Sequence, residues 1–377
     1  MEYLILLIIL VIPVIRYDIK GIQIKDNKYL YFEWFVIVCL MGFRYHVGGD
    51  SFAYEDAYAS YPTLENMHSF RFDDTRYAPL WDTFCILCKS ISSNFYSFQL
   101  IHAIIVNYCF FRFFRKNTKY YFTAIFLYAL LFLFKYNTEI LRASLSVSIF
   151  LYSFEYLKTK KWVKYYLCCA VAIGFHFESI VLLLFPLITL IDKIKINPIS
   201  LAVILAGIYI LSFSMSLLPF VSGMFAFDDG ISGSLEFYGG LVNYNLNIVG
   251  YIFHLILYCG TIIIVILMRC NVKDYLNPLM LFYILFKMLS LRMSHITGRM
   301  EDFLMPFVLL YFLKTVTLFD YSLMRKYILY FCILIFTIST FINTIRIAPL
   351  VYPYYSIFSP EEVPGRRMLY ELMLNDR

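Results

Sequence analysis

The residues of this chain best suited to chemistry sit where ionisable groups are expensive. Glu139 and Arg142 open the apolar stretch "EILRASLSVSIFLYSFEYL", three apart and so on one helix face. His176 interrupts the run "AIGFHFESIVLLLFPL". Arg299 precedes the apolar run that starts at Phe303, with Lys287, Arg292 and His295 just ahead of it. Residues 43–58, "FRYHVGGDSFAYEDAY", gather Arg44, His46, Asp50, Tyr54, Glu55 and Asp56 directly after the apolar run 29–41. Guanidinium forks grip phosphate oxygens in pairs. A carboxylate or imidazole beside them takes the proton of an attacking hydroxyl. The chemistry that suits this set is departure of a diphosphate from a sugar anomeric carbon, with arginine and lysine neutralising the developing charge. A lipid diphosphate fits, because its tail stays in a bilayer while its head group lies at the surface.

Each residue also has a plainer reading. A cation near mid-membrane costs about 2.5–3.5 kcal/mol on insertion scales. Glu139 and Arg142 can lower that cost as an ion pair. Lys287, one turn below a helix end, can snorkel outward. His176 can satisfy a helix end. Arg44, Arg292 and Arg346, taken singly, read as interfacial anchors. Jointly, several cations at one level read as an anion site.

The elements that would position them follow from composition. The chain has 377 residues, 61% hydrophobic and only 15% charged, against about 25% charged in soluble domains. This is the composition of an all-α polytopic membrane protein, read as one helical domain over 1–345 and a tail over 346–377. Candidate spans are 1–15, 29–43, 95–113, 120–136, 139–157, 163–176, 178–191, 199–218, 248–268, 275–291, 303–319 and 327–345. The pair 163–176 and 178–191 reads either as two spans or as half-helices meeting near His176, and 79–93 as a re-entrant or surface helix, giving about 11–13 membrane helices. No basic leader or small-residue cleavage site marks residues 1–15 as a signal peptide. Basic clusters at 16–28, 112–119, 158–164, 193–195, 269–273 and 325–326 thread to the cytoplasm. The loops 44–94, 219–247 and 292–302 and the tail then lie outside, around an extracytoplasmic cavity. All six histidines (46, 68, 102, 176, 254 and 295) fall in that outer half. The net charge of +6 is what cytoplasmic loops supply and does not point to nucleic acid. Cys85 and Cys88 read as buried hydrophobes on a helix face rather than zinc ligands.

The motifs resemble the EpsG family of bacterial exopolysaccharide biosynthesis proteins, which are Wzy-like polymerases. Arg44-Tyr45-x-Val47-Gly48-x-Asp50 with Tyr54 is similar to the family's R-Y-x-V-G-x-D-x-x-x-Y. The stretch at 139–157 is similar to its I-R-Q-x-x-A helix and carries Arg142 over, with Ala143 where the family often has Gln. The stretch at 172–187 is similar to its A-x-x-F-H-x-S-A-L segment and carries His176 over, with Glu178 in place of Ser. Arg299 before Phe303 resembles R-x-x-x-[YF], and "PLVYPYYSIF" resembles the closing P-Y segment. The resemblance implies a fold related to the GT-C membrane glycosyltransferases. It implies a multi-pass protein of the cytoplasmic membrane with its site facing outward. Its substrates would be an undecaprenyl-diphosphate-linked repeat unit and the growing chain on the same carrier, with a flippase and a chain-length regulator as partners alongside membrane lipids.

On this reading Arg142 and Arg299 stabilise the diphosphate, and either Asp50 or His176 is the base. Arg44, Tyr54, Glu139, Lys287, Arg292 and His295 orient the substrate. No cofactor is assigned. The acidic pairs Asp73–Asp74 and Asp228–Asp229 form no D-x-D, so a metal-independent enzyme is expected. A transporter for the same lipid-linked sugar would need a polar path through the membrane and internal repeats, and no repeat is evident. An O-acyltransferase would need its histidine toward a cytoplasmic donor.

Overall fold

The computed structural model describes residues 2–23, 26–72, 75, 77–187, 200, 207, 275–290, 294–317, 350–361 and 365–375. Every regular element among them is helical, as expected for the all-α class. The expected spans 248–268 and 327–345, the loop 219–247 and, residues 200 and 207 aside, the span 199–218 lie outside the described residues, as do Asp73–Asp74, Asp228–Asp229, Arg292 and Arg346. The chain divides into two compact units, one of Met1–Glu155, Val163–Phe177 and Val316–Arg377, the other of Tyr156–Trp162 and Glu178–Thr315.

In the first unit α1 (Glu2–Pro13) is apolar all round. Tyr3, Leu6 and Leu10 are buried, while Leu4, Ile5, Ile8 and Ile12 are exposed. A helix without a polar face suits lipid rather than water. At Pro13 the missing N–H disturbs the ladder, and the chain continues as a π-helical turn, Val14–Ile19. Next come α2 (Lys28–Gly42), α3 (Ser51–Ser60), a 3-10 turn (Leu64–Ser69) and α4 (Pro79–Ile91). The post of the unit is α5 (Phe95–Asn117), against which α2, α4 and α6 (Tyr121–Leu131) pack. Among the described residues α5 alone is long and apolar enough to cross a membrane. A π-helical turn, Lys135–Glu139, leads into α7 (Leu141–Lys158), and α8 (Trp162–Phe175) follows. The Ser146 hydroxyl donates to Ala172 O at 2.8 Å and ties α7 to α8.

In the second unit a 3-10 helix, Phe177–Leu187, whose first residue is the last of the first unit, precedes α9 (Leu276–Ser290) and α10 (Ser294–Thr317). The break expected near His176 is therefore present, with α8 ending at Phe175. The outer turn expected over 292–302 is helical from Ser294 instead. Proline is absent from 294–305, and Gly298 costs about 1 kcal/mol, which a helix of 24 residues absorbs. Segment 79–93 forms the expected helix, with Trp81, Cys85 and Cys88 on its buried face. Both cysteines are free thiols there.

At the end of α1 the Asp18 carboxylate accepts the Thr123 N–H and hydroxyl, both at 2.7 Å. Burial lifts its pKa from 3.8 to about 6, against the pull of those two donors. The neighbouring carboxylate is Glu33, buried on α2. Because the folded value lies above the unfolded one, the fold penalises the charged form. That penalty is absent below about pH 4, where Asp18 is protonated in both states, grows as pH rises toward about 6, and is full and level above that, so stability falls across the window. Asp18→Asn keeps an acceptor for Thr123. It is expected to raise thermal stability above pH 6 by about 1–3 kcal/mol and to flatten the slope below it, as read by melting the purified protein across pH 4–8.

Candidate functional site

The site begins where α2 ends. Its last carbonyls have no helical partner, and two side chains take them up. Arg44 donates through Nε to Val47 O at 3.1 Å and through Nη1 to Met41 O. Gln99 on α5 donates to Gly42 O and Arg44 O, both at 2.9 Å. Arg44 is only 1% exposed, and burial pulls its guanidinium down to about 10, against the opposing charges of Tyr354, Glu139, Tyr3 and Tyr96. The C-terminal segment closes the same turn from the other side. Tyr45 N–H donates to Tyr355 O at 2.8 Å, Gly48 N–H to Leu350 O at 2.9 Å and Ile357 N–H to Phe43 O at 2.9 Å. Arg44, expected to orient substrate, gives Nε and Nη1 to backbone carbonyls inside the turn, while its Nη2 is buried without a partner among the described residues. His46 bonds Glu55 at 2.9 Å and stacks on Tyr45.

The second wall is the junction of α6 and α7. Asn107 on α5 donates to Asn137 Oδ1 at 2.8 Å and accepts the Tyr128 hydroxyl at 2.8 Å. Asn137 donates in turn to Leu133 O at 2.9 Å, which fixes the π-helical turn. Beyond the turn, His102 Nε2 donates to Leu141 O at 3.0 Å. These bonds hold Glu139 and Arg142 in place. Glu139 Oε1 accepts the Gly49 N–H at 2.7 Å, so its carboxylate clamps the 48–50 turn, and it lies 3.0 Å from the Thr138 hydroxyl. That contact spans 90 residues of sequence.

Arg142, the second residue of α7, is the centre of the arrangement. Its guanidinium lies over the Tyr77 ring at 4.6 Å, a cation–π geometry. It engages the Tyr54 phenol, whose pKa is raised by burial and eased back by Arg142. Asp50, at the N-terminal end of α3, acts by charge on the same phenol. The Arg142 Nε is buried and has no hydrogen-bond partner among the described residues. A fourth group went unforeseen in the sequence. Asp82 on α4 is completely buried and accepts the Tyr61 hydroxyl at 2.5 Å and the Thr75 hydroxyl at 2.6 Å. Burial raises its pKa, while Thr75, Tyr61 and the Arg142 charge oppose that rise. Its signal was in the spacing: Trp81, Asp82, Cys85 and Cys88 mark one helical face, with a carboxylate on the apolar side.

His176 is 6% exposed, just past α8. Its neighbours in sequence lie against α4, with Phe175 edge-on to Phe84 at 6.0 Å. A side chain at Gly174 would collide with Leu80. Asp50, Tyr54, Glu139, Arg142 and His176 thus all belong to the first unit. Lys287 lies on α9 and His295 and Arg299 lie on α10, in the second unit, and their side chains are outside the described residues. Among the described residues no group of three or more His, Cys, Asp or Glu is arranged to hold a metal ion.

Among the described residues the chain is helical and strongly apolar, and Tyr54, Tyr77 and Asp82 lie around the Arg142 guanidinium. The chain belongs to the EpsG family, whose model matches residues 27–356. That membership gives it a polymerase-type role in exopolysaccharide biosynthesis. No curated protein and no solved structure matches the chain.

Proposed function

We propose that this protein is a polysaccharide polymerase of the outer face of the bacterial cytoplasmic membrane, with a GT-C-like fold. It moves the growing glycan from undecaprenyl diphosphate to the terminal hydroxyl of an incoming lipid-linked repeat unit. The observation that carries this reading is Arg142, held on Tyr77 among Tyr54, Asp50 and Asp82, with a buried Nε that has no partner among the described residues. In the reaction the bond from the anomeric carbon to the diphosphate breaks. A bond to the acceptor oxygen forms, and the hydroxyl proton passes to Asp50 or His176. Undecaprenyl diphosphate leaves with its charge met by Arg142 and, through the family motif, by Arg299. Arg44 serves by shaping the 43–50 turn that carries Asp50. Lys287, Arg292 and His295 remain proposed substrate contacts.

The test is the purified protein with a defined undecaprenyl-diphosphate oligosaccharide. Products longer than the input, formed equally with and without chelator, support a metal-independent polymerase. Unchanged repeat units that cross to the other leaflet would instead make it a transporter.

A further inference from the structure

The C-terminal helix α11 (Arg366–Asn375) has two differently occupied faces. Arg366 and Tyr370, four apart, face the 43–50 turn and α3. Arg366 donates to His46 O at 3.0 Å and to Pro353 O at 2.7 Å and is 3% exposed. Tyr370 packs on Phe52 of α3 at 5.5 Å. A second stripe, Met368, Leu369 and Leu372, is apolar and exposed, Met368 at 64% and Leu372 at 48%. Arg367 and Glu371 pair at 3.7 Å on a third, polar side.

The exposed apolar stripe is not isolated. Phe358, 75% exposed, packs edge-on against Phe43. Phe43 follows α2 on the same face as Phe32 and Phe35, both exposed. An aromatic strip therefore runs along the outside of α2 to the segment that ends in α11. In a membrane-embedded chain the α2 face meets lipid, and aromatic rings gather where lipid gives way to water. A short helix with one apolar stripe and a charged flank lies flat at that boundary.

We propose that α11 lies on the membrane surface, its Met368–Leu369–Leu372 stripe in the acyl-chain boundary and its Arg366–Tyr370 side bracing α3 and the 43–50 turn. This rests on the membrane-embedded reading above. It deepens that reading by setting the depth of the Arg142 site: a turn tied to α11 through Arg366 sits in the head-group layer, where a lipid-linked diphosphate is carried.

Fluorescence quenching in proteoliposomes of the full chain tests it. Leu372→Trp, Leu369→Trp, Glu371→Trp and Phe35→Trp are compared after subtracting the signal of the parent protein. Leu372→Trp and Leu369→Trp are expected to lose fluorescence with phospholipid brominated near the glycerol end of the acyl chain, and little with aqueous iodide. Glu371→Trp is expected to respond mainly to iodide. Iodide quenching of Leu372→Trp and Leu369→Trp, or protection of both from iodide and bromolipid alike, would overturn the proposal; the second result would mean that protein covers the stripe. Phe35→Trp separates the two levels. If bromolipid quenches it while Leu372→Trp stays dark to lipid, only the placement of α11 fails. If no bromolipid quenches Phe35→Trp, the membrane-embedded reading fails with it.

Discussion

Arg142→Lys is expected to lower chain extension by about 10²–10³-fold and to leave single lipid-linked repeat units accumulating. The substitution keeps the positive charge, so the loss measures geometry. Arginine presents a flat fork that lies over Tyr77 at 4.6 Å while still reaching Tyr54. A lysine ammonium is a compact point charge with no second nitrogen to offer a diphosphate. Arg142 Nε, buried and without a hydrogen-bond partner among the described residues, disappears in the variant, and a donor goes with it. The fold should survive, because the bonds that hold α7, from His102 to Leu141 and from Ser146 to Ala172, do not involve residue 142. The measurement is radiolabelled repeat-unit incorporation by the purified variant, next to its melting temperature. Extension within a few-fold of wild type at unchanged stability would remove Arg142 from the reaction. Arg44→Lys provides the contrast. Arg44 is engaged by Val47 and Met41 carbonyls, so its loss should appear first in stability.

That contrast also shows how far the site was legible in the sequence. Arg142 stood out because a charged pair in an apolar helix is expensive wherever the helix is placed. Arg44 was read singly as an interfacial anchor and jointly as part of an anion site, and two of its guanidinium nitrogens donate to backbone carbonyls. Whether an arginine after a helix faces ligand or backbone depends on which carbonyls the helix end leaves open. Here Met41 and Val47 fall within its reach, a fact of three dimensions rather than of spacing. Glu139 was expected beside Arg142 on one helix face, but a π-helical turn ends at Glu139 and α7 begins only at Leu141. Its carboxylate therefore serves Gly49 across 90 residues. Asp82 shows the opposite case. Its place on the buried face of α4 follows from helical spacing, but its partners Tyr61 and Thr75 lie in a connection whose path no periodicity describes. The helices were readable because long apolar runs stand apart from the polar segments between them. The polar contacts between them were not, because loop paths decide them.

Gly48→Ala is expected to be the most damaging of the small substitutions in the motif, because two penalties coincide there. Gly48 has φ +118, outside the range that side chains tolerate, at a cost of about 1–3 kcal/mol. Its missing side chain also faces Thr138, whose Cβ, Oγ1 and Cγ2 would all meet the new methyl group. Thr138 cannot withdraw, since it is buried in the π-helical turn with its hydroxyl on Phe134 O at 2.8 Å. Overpacking of this kind adds about 1–3 kcal/mol. Gly21→Ala isolates the first penalty: Gly21 has φ +66, and a methyl group there would meet nothing within 4 Å. Thermal melting of the two variants should therefore differ by the packing penalty together with the steeper backbone cost at φ +118, with Gly48→Ala the lower. The damage should also reach activity. The 48–50 turn can relieve the collision only by moving away from Thr138 and Glu139, which breaks the Gly49 N–H bond to Glu139 and carries Asp50 and Tyr54 away from Arg142. Equal melting temperatures for the two alanine variants would show that the turn does not press on Thr138, and would leave the motif glycine explained by its φ alone.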